Sequence, residues 1–224
     1  MPKVIILDYG LGNLFSVQRA LEYIGVKPII TDDKKEIKRA EKIIIPGVGA
    51  FKEGMVQLER RGLISLIKEA ADSSKSILGI CLGMQLLMSK SEEHGEQEGL
   101  NLIGGRVSQL FSGKDDDKVK VPHIGWNCLI PSQCQLARNR DCWKGTILEG
   151  VEKESFMYFV HSFGVYTDKP EYTIAETHYG ENRFCSVVQK DNIMGCQFHP
   201  ERSGNKGIEI LKKFVSYSFD KVRV

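Results

Sequence analysis

The sequence predicts an α/β protein with a doubly wound, mostly parallel central sheet and added antiparallel strands in the C-terminal half. In the first half, short apolar runs alternate with stretches of helical periodicity, which is typical of parallel strands joined by helices. In the second half, apolar runs follow one another at close spacing, which favours hairpins. Because no internal repeat or linker interrupts these patterns, we predict a single domain over residues 1–224.

The first half contains four predicted buried strands, at 4–7, 27–31, 43–45 and 76–80. The loop DYGLGN at 8–13 leads into a helix that Gly25 ends. Glycines in such a loop also occur in dinucleotide-binding turns, but Phe15 occupies the third glycine position of that fingerprint, which argues against this function. Asp32 or Asp33 is predicted to cap a second helix, and residues 63–71 form the helix before the fourth strand.

The second half contains four further predicted strands and a terminal helix. The strands are 156–160, 172–177, 184–189 and 194–198, and the helix packs through Ile208, Leu211, Phe214, Val215 and Ser218. We expect a loop at 94–105, a solvated turn at 114–118 and irregular structure at 131–150.

Charge and cysteine content narrow the possible functions. The net charge is +2 with no basic block, so nothing indicates a nucleic-acid partner. The six cysteines form no Cys-x-x-Cys pair, which argues against a zinc site or a disulfide framework. The first apolar run stops at Asp8, too early for a signal peptide, and no segment is long enough to cross a membrane. We expect a cytoplasmic protein that needs no metal or cofactor.

Cys81 is the first candidate catalytic residue. It lies in SILGICLGMQLL at 76–87, where an apolar strand meets a helical pattern, with glycines two residues before and after it. A cysteine on such a sharp turn faces a helix N-terminus, where the N–H of Leu82 would stabilise an oxyanion. This pattern predicts a nucleophile, although a small buried core residue is the alternative.

The glycine loop PGVGAF at 46–51 follows the third strand. In the functional interpretation, the amide of Val48 is a second oxyanion donor beside that of Leu82. In the structural interpretation, the loop is only a tight turn between a strand and a helix.

His199 is the preferred general base among five histidines. It ends a predicted strand, and Glu201 lies two residues further, on the same face if the chain is extended. Pro200 disfavours helical geometry at His199, so the carboxylate is expected to orient the imidazole as in a catalytic triad. A surface pair in a turn is the alternative for these residues. His161 is the competing base, but it has no neighbouring acid.

The segment PHIGWN at 122–127 combines an imidazole, an aromatic ring and an amide around one glycine. If Trp126 is exposed, it indicates a partner surface, whereas a core position is the commoner outcome for tryptophan.

Taken together, the motifs resemble those of class I glutamine amidotransferases. GICLGMQ, PGVGAF and QFHPERS occur in that family's order and at its approximate separations. DYGLGN, PHIGWN and FVHSF are similar, within the family, to the glutaminase subunits of imidazole glycerol phosphate synthases. The resemblance extends over residues 4–214.

The resemblance implies a role for each matching residue. Cys81 would attack the side-chain carbonyl of glutamine, His199 would transfer protons and Glu201 would orient it. The backbone N–H groups of Val48 and Leu82 would hold the oxyanion. Glutamine would be held by Gly49, Gln85, Glu93, Ser162 and Phe163.

The resemblance also implies a partner. A separate cyclase subunit, a (β/α)₈ barrel, would join the ammonia to a phosphoribulosyl-formimino ribonucleotide and make imidazole glycerol phosphate in histidine biosynthesis. Trp126 and Arg202 are the candidate interface residues, with Arg202 where the family usually has lysine. Three alternatives are a glutaminase serving a sugar-modifying enzyme, a cysteine peptidase or esterase with the same triad, and a non-catalytic binding module.

Overall fold

A computed structural model describes residues 2–73, 75–113, 118–138 and 141–218. Its strands are β1 Val4–Leu7, β2 Ile29–Thr31, β3 Lys42–Gly47, β4 Ser76–Cys81, β5 Lys90–Ser91, β6 Gln97–Glu98, β7 Gly105–Gln109, β8 His123–Cys128, β9 Ile130–Pro131, β10 Phe156–His161, β11 Phe163–Thr167, β12 Thr173–Tyr179, β13 Asn182–Lys190 and β14 Ile193–Cys196. Its α-helices are α1 Leu14–Tyr23, α2 Lys34–Arg39, α3 Phe51–Arg60, α4 Ile64–Asp72, α5 Leu82–Leu86, α6 Gln133–Arg138 and α7 Gly204–Ser216.

Twelve of these strands form one sheet, in the order β2-β1-β3-β4-β14-β13-β11-β7-β5-β6, with β12 paired to β13 and β9 paired to β12. From β2 to β14, each strand in that order is parallel to the next. From β14 through β13 and β11 to β7, each strand is antiparallel to the next. β8 and β10 form a separate two-stranded antiparallel ribbon. The predicted fold class is therefore confirmed.

Helices cover both faces of the sheet. On β1, Val4 and Ile6 pack into one core with α1 and α7, while Ile5 and Leu7 pack into a second core with α2, α3 and α4. Alternate residues of one strand enter opposite cores because strand side chains point to alternating faces. This explains why the parallel strands are apolar at nearly every position. Among the described residues, none of the helices is both long and apolar enough to cross a lipid bilayer.

All eight predicted strands are present, with ends shifted by up to two residues. Asp33 rather than Asp32 caps α2, by accepting hydrogen bonds from the backbone of Lys35 and Glu36. The sequence prediction missed β7, β8 and β11, because exposed or polar positions interrupt their apolar pattern.

Two loop predictions need correction. The stretch 131–150 is not irregular throughout, because β9 extends into it and α6 follows. The loop at 94–105 contains the short strand β6. Most of the predicted turn at 114–118 lies outside the described residues.

Candidate active site

Cys81 lies on the turn between β4 and α5. It is the last residue of the strand and caps the helix with φ 53° and ψ −108°. This backbone conformation is rare for residues other than glycine and costs about 1–3 kcal/mol. This strained turn holds the thiol at the carboxyl edge of the sheet. Cys81 is also buried, so it has features of both sequence interpretations, a residue on a sharp turn and a buried residue.

Gly79 and Gly83, which flank the turn, are needed for close packing. The strained backbone conformation is that of Cys81 itself. A Cβ atom on Gly83 would lie 1.7 Å from the carbonyl oxygen of Ile45, and one on Gly79 would lie 2.6 Å from the carbonyl of Gly83. These residues therefore allow α5 to lie directly against β3 and β4. The glycine spacing around Cys81 is a requirement of this close approach.

His199 and Glu201 lie beside Cys81. The Cys81 side chain is near enough to the imidazole to raise its pKa, and Nδ1 of His199 donates to Oε1 of Glu201 over 2.8 Å. The Glu201 side chain is 1% exposed, and its second oxygen has no hydrogen-bond partner within the described part of the chain. His199 is extended, with φ −98° and ψ 96°, as the following proline predicts. The chain beyond it is not, because Pro200–Arg202 form a 3₁₀ turn that brings the carboxylate back to His199.

The electrostatics of this trio favour a charged imidazole. Burial lowers the pKa of His199, but hydrogen bonds and charges from Cys81 and Glu201 outweigh it and raise the pKa to about 10. A cysteine beside an imidazolium is the arrangement in which thiolates act as nucleophiles. The thiol also contacts the Val160 carbonyl at 3.6 Å and the Gln197 amide nitrogen at 3.9 Å.

A cavity of about 250 Å³ opens in front of the sulfur of Cys81. It brings together all the residues for which the sequence suggested oxyanion or glutamine contacts. Its lining comprises Cys81, Val48, Gly49, Leu82, Gln85, Glu93, Pro122, Val160, His161, Ser162 and Phe163. The cavity is large enough for a small amino acid side chain and its backbone.

Two polar side chains of this cavity are already fixed by hydrogen bonds. The amide nitrogen of Gln85 donates to the carbonyl of Phe163 over 2.9 Å and to Gln197 over 3.2 Å. One oxygen of Glu93 accepts from the backbone N–H of Phe51, at the start of α3, over 2.6 Å. Within the described residues, the amide oxygen of Gln85 and the second carboxylate oxygen of Glu93 accept no hydrogen bond.

His161 is excluded as the base by its hydrogen bonds. Its Nδ1 donates to the carbonyl of Phe163 over 2.9 Å, and its Nε2 lies 3.3 Å from Nδ1 of His123. Burial lowers the pKa of His161 to about 3, so the ring is neutral and both nitrogens are occupied. His199 therefore has the geometry of the base, and His161 does not.

Trp126 and Arg202 are both on the surface. Trp126 is 54% exposed on β8 and packs against Tyr158, whose carbonyl accepts from the backbone N–H of His199 over 2.9 Å. Arg202 lies in the turn that follows His199. The two candidate interface residues are thus connected to the segment that carries the imidazole.

Sequence reasoning missed two buried polar residues beside Cys81. Gln197 is fully buried, and a polar residue in the apolar run before His199 was the available signal. The Tyr9 hydroxyl is buried with no hydrogen-bond partner among the described residues, and burial together with the Cys81 charge raises its pKa. Nothing in the loop DYGLGN indicates that its tyrosine faces inward.

Comparison with known proteins identifies the family. The profile of "Glutamine amidotransferase class-I" matches residues 5–217. The chain belongs to this family. Among class I glutamine amidotransferases, the imidazole glycerol phosphate synthase subunit HisH of Sulfurimonas denitrificans is 46% identical over 96% of this chain and 98% of its own length. The subunit of the same name from Chlorobaculum tepidum is 40% identical over 96% of this chain and 100% of its own.

The fold of this amidotransferase is also found in solved structures. The structure of PurLQS from Thermotoga maritima matches 96% of this chain and 98% of that chain with a TM-score of 0.68 at 24% identity. At this level of identity, the likeness concerns the fold alone.

Replacing Glu201 by glutamine is expected to lower kcat for ammonia release by about 10²-fold or more. Unlike the carboxylate, the amide carries no charge to stabilise the imidazolium and does not fix the tautomer of the ring. KM for glutamine should change little, since Glu201 does not line the cavity. Steady-state kinetics tests this. An unchanged kcat would show that the 2.8 Å contact does not orient the base.

The two neutral histidines predict acid sensitivity. Burial lowers the pKa of His123 to about 4 and that of His161 to about 3. Below about pH 6.5 the unfolded chain binds protons that the folded chain does not, so the free energy of unfolding falls by up to about 1.4 kcal/mol per pH unit for each histidine. Urea unfolding at several pH values between 7 and 5 measures this fall. The free energy of unfolding should fall less steeply with decreasing pH in His123→Phe than in the wild type, and an equal dependence on pH would contradict the neutral assignment of His123.

Proposed function

We propose that this chain is the glutaminase subunit of an imidazole glycerol phosphate synthase, acting in histidine biosynthesis as a single domain over residues 1–224. The observation that carries the proposal is the cluster of Cys81, His199 and Glu201, in which Glu201 is hydrogen-bonded to the imidazole, beside a cavity of small-molecule size. The names of the relatives at 40–46% identity support the pathway and favour it over service to a sugar-modifying enzyme.

The reaction begins with attack by the Cys81 thiolate on the side-chain carbonyl carbon of glutamine. The C=O bond electrons move to oxygen, and the N–H groups of Val48 and Leu82 stabilise the oxyanion. When the intermediate collapses, the C–N bond breaks and the His199 imidazolium gives its proton to the leaving nitrogen, which departs as ammonia. A glutamyl thioester remains on Cys81.

Hydrolysis of the thioester completes the cycle. Neutral His199 accepts a proton from water as the water attacks the thioester carbonyl, and the same two N–H groups stabilise the second oxyanion. Collapse releases glutamate and restores the thiolate beside the imidazolium. Glu201 holds the imidazole tautomer throughout, because its carboxylate accepts from Nδ1 and leaves Nε2 to the reacting atoms.

Substrate binding is assigned to the cavity in front of Cys81. The free oxygens of Gln85 and Glu93 accept from the ammonium group of glutamine, and the main chain at Gly49, Ser162 and Phe163 pairs with its polar groups. The reaction as written uses no metal and no cofactor.

The ammonia is used by a cyclase subunit of (β/α)₈ barrel type, with which this chain forms a heterodimer in the cytoplasm. Trp126 and Arg202 contact that partner. These contacts are proposed because both residues are exposed near the catalytic segment. Trp126 packs on Tyr158, whose carbonyl is hydrogen-bonded to the backbone of His199. Tryptophan is a typical anchor residue of protein interfaces. Neither a nucleic acid nor a membrane is part of the proposed function.

Replacing Trp126 by alanine is expected to weaken the cyclase complex by about 30-fold, as removal of a central aromatic anchor costs about 2 kcal/mol or more. Tyr23→Ala is the matched control, because Tyr23 is 76% exposed at the end of α1 that lies away from Cys81. Titration calorimetry with the purified cyclase measures both. Equal losses for the two variants would contradict the assignment of Trp126.

The proposed function is tested by ammonia release from glutamine, measured for the chain alone and with the cyclase barrel plus its ribonucleotide ligand. Strong stimulation by partner and ligand together is the expected result. A folded chain that forms no complex with the cyclase and shows no stimulation would contradict the histidine-pathway assignment. Cleavage of peptides or esters without ammonia release from glutamine would favour a hydrolase of another class.

A further inference from the structure

A line of hydrogen bonds connects β8 to the floor of the glutamine cavity. Asn127, His123 and His161 follow one another, with Asn127 Nδ2 3.4 Å from His123 Nε2 and His123 Nδ1 3.3 Å from His161 Nε2. The last member, His161, bonds to the carbonyl of Phe163, the same carbonyl that Gln85 contacts. None of these three side chains has a role in the chemistry described above.

The direction of every bond in this line is determined by its ends. A carbonyl only accepts, so Nδ1 of His161 carries the proton that bonds Phe163 at 2.9 Å. Because the buried ring is neutral, Nε2 of His161 must accept, and Nδ1 of His123 must donate to it. His123 is neutral for the same reason, so its Nε2 accepts from the amide of Asn127.

The Asn127 amide is oriented consistently with this scheme. Its oxygen accepts from the backbone N–H of Cys128 over 2.8 Å, and its nitrogen also donates to the carbonyl of His178 over 2.9 Å. The two protons on that nitrogen therefore serve His178 and His123. Reversal of the amide would break both contacts, so Asn127 fixes the direction of the whole line.

Aromatic packing holds the rings in place. His123 is stacked between Phe159, with ring centroids 5.0 Å apart, and Tyr179, with centroids 4.0 Å apart. Phe184 meets the ring of His161 edge-on at 4.9 Å. His123 is 2% exposed and His161 is 6% exposed, so solvent does not replace their bonds.

We propose that Asn127, His123 and His161 form a directed hydrogen-bond relay that fixes the Phe163 carbonyl, and with it Gln85, in the position that binds glutamine. They are positioning residues, which act on glutamine through the Phe163 carbonyl and Gln85. The proposal rests on the proposed glutaminase function for its substrate. Because Asn127 follows Trp126, the relay joins the strand of the proposed partner surface to the substrate cavity.

The kinetic test compares two substitutions of His123 in the complex with the cyclase. His123→Phe keeps a ring between Phe159 and Tyr179 but has no donor for His161, and KM for glutamine is expected to rise about 10-fold, equivalent to about 1.4 kcal/mol, with kcat within twofold. His123→Asn places an amide N–H near the position of Nδ1 and should recover most of the affinity. His178→Phe changes an exposed histidine of β12 and is expected to keep the wild-type KM.

The spectroscopic test reads the relay without substrate or partner. Nitrogen-15 NMR of the imidazoles should show His161 only as the Nδ1-protonated tautomer in the wild type and in His123→Asn. In His123→Phe, Nε2 of His161 has no donor and the bond to the Phe163 carbonyl is expected to loosen, so both tautomers should be populated. An unchanged KM together with a single tautomer in His123→Phe would overturn the proposal, as would a loss of kcat that His123→Asn does not reverse. A wild-type complex without glutaminase activity would contradict the proposed function, while the tautomers would still decide whether the relay exists.

Discussion

Replacing Cys81 by alanine is expected to abolish ammonia release from glutamine, with a loss of about 10⁴-fold or more, because no other cysteine of the described residues lines the cavity and could form the thioester. Circular dichroism and urea unfolding should show a folded protein, since alanine occupies less space at this buried turn. Binding to the cyclase is expected to persist, as Cys81 lies inside the cavity. Ammonia release is measured by a coupled glutamate dehydrogenase assay.

Cys134→Ala is the matched control for this loss. Cys134 is a half-buried cysteine on α6 that does not line the cavity in front of Cys81. Its variant should retain the wild-type rate. A Cys81→Ala protein that releases ammonia at the full rate would remove Cys81 from the mechanism.

Replacing Gly83 by alanine is expected to have the largest effect on folding. A Cβ there would lie 1.7 Å from the carbonyl oxygen of Ile45, so α5 would have to move away from β3. We expect a loss of about 3 kcal/mol or more in the free energy of unfolding, together with loss of activity because the turn at Cys81 moves with the helix. Urea unfolding and the ammonia assay measure the two effects.

Gly104→Ala provides the comparison, since the nearest atom to its Cβ would be a carboxylate oxygen at the end of the flexible Asp168 side chain, at 3.0 Å. A change of less than about 1 kcal/mol is expected for it. If Gly83→Ala were as stable and active as Gly104→Ala, the close approach of α5 to β3 would not be needed for the elbow.

The first half of the fold could be predicted because its signal is local. β1, β3 and β4 are buried on both faces, so their sequences are continuous apolar runs that stand out from the helices between them. In contrast, β8 carries the polar residues His123, which is buried, and Asn127, which is partly buried, and their hydrogen bonds go to residues 38 and 51 positions away along the chain. No local pattern reveals such a strand.

In the candidate site too, features that depend on neighbouring residues could be predicted, and those that depend on tertiary contacts could not. The turn at Cys81 and the pairing of His199 with Glu201 involve residues close in sequence, and both were predicted. Gln197 contacts the sulfur, and Tyr9 interacts electrostatically with Cys81, only through the tertiary packing of β14 and of the loop after β1. The role of His161 also depended on the tertiary structure, because its bond to His123 is what excludes it as a base.

The most direct test of the central claim is to trap the acyl intermediate. The chain is mixed with the cyclase, its ribonucleotide ligand and glutamine, quenched in acid within the first turnovers and digested for mass spectrometry. The mechanism predicts one glutamyl group, in thioester linkage, on the peptide that contains Cys81, and no such adduct in Cys81→Ala. Ammonia release with the Cys81 peptide unmodified, or a glutamyl group on another residue, would contradict nucleophilic catalysis by Cys81.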